Sequence, residues 1–266
     1  RLLNSMDGSL RGQKQVEIII ADGGSTDGQT LKYYDILRRN GAAKVFCGKG
    51  MPMPALLNAA AKEADRENCL FMDSNVEALG ISWLYDMLSQ SERRGCGGVG
   101  PKLIGQDGRL VYTGITIGIG GWQGSPYAGT PDDRESGQKL RFTGTLRTVS
   151  ALSWVCMMTP MDLFFNAGCF DESFNETGFD TEYCTRLDRR GYSLIYAPNV
   201  VMKYHGRIQK VADADGQDRM RYYDTVRDTL IRGDPRYNNN FDYALPSPRI
   251  AVRPRPAAEL NELYRK

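Results

Sequence analysis

From Val16 to Ala21 the chain reads VEIIIA, a β-branched apolar run of strand length. A turn-rich segment follows, Asp22-Gly23-Gly24-Ser25-Thr26-Asp27-Gly28, and then a helical pattern with Leu31, Tyr34, Ile36 and Leu37 apolar. AAKVFCG predicts a second short strand, and PALLNAAAKEADRE a helix rich in alanine, leucine and glutamate. CLFMD (Cys69 to Asp73) predicts a third buried strand, and ISWLYDMLSQSERRG an amphipathic helix stopped by glycine. Three strands alternating with three helices predict a parallel sheet covered on both faces.

The pattern changes after Gly95. GGVGPKLI, RLVYTG and ITIGIGG read as shorter strands separated by glycine. Trp122 to Thr148 is polar and rich in glycine, proline and charge, which predicts a long surface loop of the kind that serves as a lid. VSALSWVCMM returns to the core, and Pro160 to Ala167 predicts a short helix with proline near its start. Phe174 to Gly206 predicts an acid-led helix ending in Arg186, Arg189, Arg190 and Gly191, then the strand SLIYAP, then His205. Asp218 to Ile231 predicts a helix, and the residues from Pro246 onward a polar tail or linker.

Composition narrows this little. The charged fraction of 25% and hydrophobic fraction of 41% are those of an ordinary globular protein. A net charge of +2 gives no basis for a nucleic-acid partner. No apolar run approaches the length of a membrane span. The six cysteines are scattered without a CxxC pair, which predicts reduced, mostly buried thiols rather than a zinc site.

Four places carry candidate chemistry, each with a plain structural alternative. Asp22 ends a strand at the sheet edge where open α/β folds bind ligands, and Gly23 and Ser25 offer backbone amides to phosphate or ribose. The alternative is a strand-to-helix turn capped by Ser25 or Asp27. Asp73, Ser74 and Asn75 follow another buried strand, and two oxygen-bearing side chains two residues apart can share a divalent cation with a diphosphate. The alternative is an Asx turn. Asp180 and Glu182 open a helix. Residues two apart do not share a face, so one carboxylate faces a cleft and the other a partner such as Arg186. Asp180, expected at the N-cap, is the candidate general base; the alternative is a cap plus an ion pair. His205 is the only histidine, and a neutral imidazole is a common metal ligand. The alternative is a structural histidine.

Taken together, these segments resemble the family 2 glycosyltransferases, which have the GT-A fold. VEIIIADGGSTDG is similar to that family's second strand and nucleotide loop, and CLFMDSN to the strand carrying its DxD motif. GPKLIGQDGRLVYTGITIGIGG resembles the segment that follows. NAGCFDESFNETGFDTEYCTRLDRRGYSLIYAPNVVMKYHG is similar to the block holding the catalytic base, an arginine six residues later and a metal-binding histidine. GDPRYNNNF resembles a motif of members that build bacterial surface polysaccharides. The similarity runs from about Val16 to Phe241.

The resemblance implies an α/β, Rossmann-like GT-A domain over residues 1–245, with a mixed, mainly parallel central sheet and helices on both faces, and a proline-containing tail over 246–266. It implies a metal-dependent, inverting glycosyltransferase in which Asp180 is the base, Glu182 the second acid and Arg186 the arginine six residues on. Asp22, Gly23, Ser25, Asp73 and Ser74 would seat the nucleotide sugar, and Asp73, Asn75 and His205 a Mg²⁺ or Mn²⁺ ion. Trp122 and Trp154 are the candidates for the acceptor side, since flat aromatic faces suit sugar rings. The donor would be a UDP-, GDP- or dTDP-linked sugar, and the acceptor a glycan or lipid-linked sugar in cell-surface polysaccharide or O-antigen synthesis. The implied location is cytoplasmic, or peripheral at the inner face of the cytoplasmic membrane.

The chain departs from the family pattern in four places. Asn75 is neutral at the last DxD position, Phe179 replaces an acid before the base, and Gly23 stands where many members have an acidic or amide side chain. The family's opening strand is not found; RLLNSMDGSLRGQKQ resembles the helix and loop after it, which implies a fragment of a longer polypeptide with further domains. Two rivals are a non-catalytic GT-A-like module that binds glycan or organises a larger synthase, and a nucleotidyltransferase. The second would carry a glycine- and basic-rich phosphate loop right after its first strand and a different C-terminal half, and the Asp180 block with His205 argues against it.

Overall fold

The computed structural model describes residues 1–10, 15–132, 142–250, 256–261 and 263. The first helix, α1 (Leu2–Leu10), packs on a strand further along the chain and buries Met6 and Ser9. The apolar run then forms β1 (Ile19–Asp22), which pairs in parallel with β2 (Lys44–Cys47). Between them lies α2 (Gly28–Arg39), whose first turn is capped by Asp27 accepting from the Thr30 amide. After β2 comes α3 (Met53–Lys62), with proline in its first turn, where the missing amide costs nothing.

β1 and β2 form a two-stranded sheet of their own. A larger, seven-stranded sheet begins with β3 (Asn68–Met72) and β4 (Val76–Ala78), followed by α4 (Trp83–Ser91) and β5 (Cys96–Ile104). β6 (Leu110–Tyr112) pairs with β5, and β7 (Thr116–Ile117) with β8 (Gln123–Gly124) across a 3-10 turn at Ile119–Gly121. β9 (Arg147–Val149) and β10 (Cys156–Pro160) precede the short helix α5 (Met161–Asn166). Then come α6 (Phe179–Arg189), β11 (Ser193–Tyr204), α7 (Gly216–Arg232) and α8 (Ala257–Leu260).

The order of the large sheet is β3-β10-β5-β11-β4, with β6 on β5 and β9 on β11. It is a mixed α/β sheet as expected, but the expectation that it is mainly parallel needs correction. Its parallel pairing is confined to β5 and β11, because β10 runs antiparallel between β3 and β5 and β4 runs antiparallel to β11. Val99, Leu103, Met157, Met158, Leu194 and Tyr196 lie at the centre of the core. Phe164, Phe170 and Tyr183 form an edge-to-face aromatic cluster that seats α6, with ring centroids 5.0 to 5.4 Å apart.

Three expectations need correction. Trp122 is not on a surface loop. It is only 4% exposed, tilts against the Tyr222 ring, and its carbonyl accepts from the Tyr222 hydroxyl at 2.7 Å. Residues 133–141 of that expected loop lie outside the described residues. The segment after Pro246 is not a tail throughout, since Ala257 and Asn261 are buried and Asn261 Nδ2 donates to the Gly121 carbonyl at 2.6 Å. Asp180 is not the N-cap of α6; Gly178 is.

All six cysteines are free, three of them buried. Among the described residues no helix is long and apolar enough to cross a membrane.

Candidate active site

The start of α6 fixes Asp180. Gly178 enters the helix with φ +94°, a left-handed conformation that a side chain disfavours. A Cβ there would also lie 3.3 Å from both Phe174 and Tyr222. The preceding loop is latched from α7, where Asp218 accepts from the amides of Asn175, Glu176 and Thr177 at 2.9 to 3.1 Å. Asp218 is 1% exposed and gathers three loop amides, of which that of the buried Thr177 would otherwise lack an acceptor.

Asp180 sits one residue into this helix and is itself buried. Its Oδ2 accepts from the Trp154 amide at 3.2 Å and its Oδ1 from the Thr181 amide at 2.8 Å. Burial raises its pKa to about 6, and the hydrogen bonds from Trp154, Thr181 and Ser153 only partly oppose that. A carboxylate with this pKa is ionised at neutral pH yet basic enough to take a proton in a reaction.

Glu182 takes the other direction. Its two oxygens accept from Arg186 at 2.6 and 2.8 Å, and Arg186 also donates to the carbonyls of Ala167 and Cys169. The two acids therefore separate as the helical spacing requires. Glu182, expected as the second acid, is here the ion-pair partner of Arg186. It lines a hollow of about 530 Å³ with Asn58, Lys62 and Arg186, and Asp180 is not part of that lining.

The Asp73 turn lies beside Asp180 through a single dipeptide. The Trp154 amide donates to Asp180, and the next residue's carbonyl, Val155, accepts from the Asp73 amide at 2.9 Å. The Asp73 carboxylate folds back on its own turn, accepting from the Asn75 amide at 2.7 Å and from Asn75 Nδ2 at 2.9 Å. It also receives the Tyr204 hydroxyl, whose pKa is pushed up by burial and then by Asp73. Ser74 is exposed at the turn.

His205 follows Tyr204, and its amide donates to the Asn75 carbonyl at 2.9 Å. The Asp73–Asn75 turn and His205, 132 positions apart in sequence, are thus joined through the main chain where β4 pairs with β11. Among the described residues no three His, Cys, Asp or Glu side chains are already arranged around a metal. The donor types nevertheless fit a divalent cation: two oxygen-bearing side chains and an imidazole whose Nδ1 is buried without a hydrogen-bond partner.

Asp22 lies at the end of β1, in the smaller sheet. Its carboxylate accepts from the Gly24 and Ser25 amides, from the Ser25 hydroxyl at 2.5 Å and from the Tyr34 hydroxyl at 3.3 Å. Burial pushes its pKa up, but these donors outweigh it and leave the group below its ordinary value. Gly23 and Ser25 belong to this turn. Gly24 has φ +115°, and a Cβ on it would come within 2.9 Å of the Lys49 side chain. The turn is tied toward Asp180 through α3, since the Met53 amide donates to the Asn175 carbonyl at 2.9 Å.

Trp154 is part-buried and its ring stacks on Phe179 at 6.2 Å, next to Asp180. Trp122 is excluded from an acceptor wall by its burial. Glu77, Tyr204 and Asp218 were not predicted. Each acts through a partner far away in sequence, and no local pattern marks it.

This arrangement of sheet, acidic turn and acid-led helix is the GT-A glycosyltransferase fold. The structure superposes on solved structures of that class at low identity, which shows the fold. It matches GalNAc-T7, solved with UDP, GalNAc and Mn²⁺, with a TM-score of 0.64 and 14% identity over 85% of this chain and 45% of that one. It matches residues 1–349 of S. aureus TarS, solved with UDP-GlcNAc, with a TM-score of 0.55 and 17% identity over 88% of this chain and 62% of that one. The mannosyltransferase PcManGT from Pyrobaculum calidifontis, solved with GDP-Man and Mn²⁺, gives a TM-score of 0.52 and 15% identity over 88% and 62% of the two chains.

In sequence the chain is 28% identical over 242 residues to the O-antigen biosynthesis protein RfbC of Myxococcus xanthus. It is 27% identical over 254 residues to the uncharacterized protein y4gI of Sinorhizobium fredii. Those matches cover 89% of this chain but only 19% and 27% of the relatives, so it spans about a fifth to a quarter of their length. No family model matches the chain.

Proposed function

We propose that the chain transfers a sugar from a nucleotide-sugar donor to a glycan or lipid-linked acceptor, with inversion at the anomeric carbon, in the synthesis of a cell-surface polysaccharide. One observation carries this reading. The dipeptide Trp154-Val155 holds a buried carboxylate of raised pKa, Asp180, on one side and the Asp73 turn on the other. A base for the acceptor and an acidic turn for the donor phosphates then share one end of the sheet. The nucleotide-sugar complexes of the structural neighbours and the name of the M. xanthus relative support the same substrate class.

In this mechanism the acceptor hydroxyl oxygen attacks the anomeric carbon as Asp180 takes its proton. The bond from that carbon to the diphosphate oxygen breaks, and the electron pair leaves with the diphosphate. Trp154 orients Asp180 through its amide and offers its part-exposed ring to a sugar. Asp22, Gly23 and Ser25 shape the nucleoside end, and Ser74 is open to the diphosphate. Asp73, Asn75 and His205 would hold a Mg²⁺ or Mn²⁺ ion, which when bound supplies charge compensation for the departing diphosphate.

Asp180→Asn tests the assignment. Loss of the base should lower transfer by roughly 10²–10⁴-fold. Stabilisation by the preferred nucleotide among UDP, GDP and dTDP, read as a thermal shift, should survive. Turnover at the wild-type rate in that variant would refute the role of Asp180.

A further inference from the structure

The single imidazole is held from an unexpected side. His205 Nε2 lies 2.6 Å from Glu77 Oε2, and Nδ1 is buried with no hydrogen-bond partner. Glu77 lies on β4, whose register with β11 pairs Val76 with Tyr204 and Glu77 with Lys203. Because side chains alternate along a strand, Asn75 and Glu77 share a face with Lys203 and His205. The contact therefore joins diagonal neighbours across an antiparallel pair.

An ionised carboxylate only accepts hydrogen bonds, so the short contact requires the proton on Nε2. The Glu77 side chain is partly open to solvent, and such a carboxylate is ionised at neutral pH. A second proton on Nδ1 would be a buried donor with nothing to receive it. Geometry and hydrogen-bond satisfaction together favour a neutral ring with Nε2–H and a bare Nδ1.

We propose that Glu77 is a positioning residue that locks His205 in the Nε2–H tautomer, so that Nδ1 is the nitrogen His205 presents to a divalent cation alongside Asp73 and Asn75. This rests on the metal reading given under the proposed function. Metal-bound histidines commonly donate their other ring N–H to a carboxylate, which fixes the ring and raises its basicity. No motif reading pointed to Glu77, because its partner lies 128 positions away.

One histidine in 266 residues makes the test clean. Long-range proton–nitrogen correlation spectra of the ¹⁵N-labelled chain at neutral pH show one imidazole without ambiguity. The expected wild-type spectrum has a protonated Nε2 and a bare Nδ1. Adding Mg²⁺ with UDP, GDP or dTDP should shift Nδ1 and leave Nε2 protonated. Glu77→Ala should mix the tautomers and weaken Mn²⁺ binding, read by electron paramagnetic resonance, about 10–100-fold. Glu77→Gln, whose amide oxygen still accepts from Nε2–H, should retain most of that affinity, which separates positioning from a folding defect.

A wild-type ring protonated on Nδ1, or a tautomer ratio unchanged in Glu77→Ala, overturns the inference. If Mn²⁺ binds the wild type with any of the nucleotides and the ring follows neither prediction, the inference fails while the metal reading stands. If Mn²⁺ binds under none of these conditions, the metal reading fails and takes the ligand role of Nδ1 with it.

Discussion

Burial of a carboxylate in a folded protein has two consequences, one for rate and one for stability, and Asp180 should show both. Its pKa of about 6 against an ordinary 3.8 means that the folded chain binds the proton more tightly than the unfolded one. The group therefore costs nothing below about pH 4, destabilises increasingly between about 4 and 6, and exerts its full penalty above 6. The tighter proton binding of the folded chain corresponds to at most about 3 kcal/mol. Asp180→Asn should melt a few degrees higher than wild type at pH 7.5, and the difference should vanish near pH 4. Equal melting temperatures at both values would remove the buried charge from the account. In the wild type kcat/KM should fall with unit slope below about pH 6, as the base becomes protonated. Glu182→Gln gives the contrast. It weakens the bonds to Arg186 and should cost about 1–3 kcal/mol of stability, while kcat stays within about tenfold of wild type. A loss as deep as that of Asp180→Asn would restore Glu182 to the reaction.

Among the elements, α6 is aimed by its neighbours rather than by its own sequence. Asp218 of α7 closes the Asn175–Thr177 loop, and Gly178 turns the chain into the helix. Asp218→Ala leaves three loop amides without their acceptor, one of them buried, and should lower stability by about 1–3 kcal/mol, measured by urea denaturation. Because that loop leads into Asp180, kcat should fall in the same variant while nucleotide affinity changes little. Unchanged kcat would show that the helix holds its place without the latch.

The contrast between α6 and its latch also shows what the sequence made legible. β1 to α4 announce themselves through apolar runs and glycine stops, and the split of Asp180 from Glu182 follows from helical spacing alone. The misreadings concern residues whose burial is decided at long range. Trp122 sits in a polar, glycine-rich context, but its ring is covered by Tyr222, a hundred positions later. Asp218 reads as an ordinary surface acid of a first helical turn until the loop from Asn175 folds over it. The Asp73 turn shows the same effect in chemistry. Its Asx geometry is the plain alternative realised, and only the return of β11 brings Tyr204 and His205 to it.

At the scale of the whole molecule, the docked C-terminal segment joins the outer surface to the helix of the base. Ala257 and Asn261 are buried against the 3-10 turn Ile119–Gly121, and Asn261 holds the Gly121 carbonyl. That turn continues into Trp122, which receives the Tyr222 hydroxyl, and Gln123, whose Oε1 receives the Thr181 hydroxyl at 2.7 Å. Thr181 is the residue after Asp180, and its amide is one of the donors to that carboxylate. Hydrogen bonds and the backbone stretch 121–123 thus form a continuous path from the C-terminal segment to the base, a physical route for coupling. Removing residues 256–266 takes away a buried polar bond and the apolar cover of the turn, and should lower stability by about 2–4 kcal/mol. For a chain of this size that corresponds to a melting temperature lower by roughly 5–15 °C. Asn261→Ala should reproduce part of this loss. If the hydrogen bonds transmit position, both variants should lose kcat in proportion to the loosening of Gln123, and Gln123→Ala combined with Asn261→Ala should lose less than the two single losses multiplied. Independent, multiplying effects would mean that the C-terminal segment stabilises the fold without steering the base.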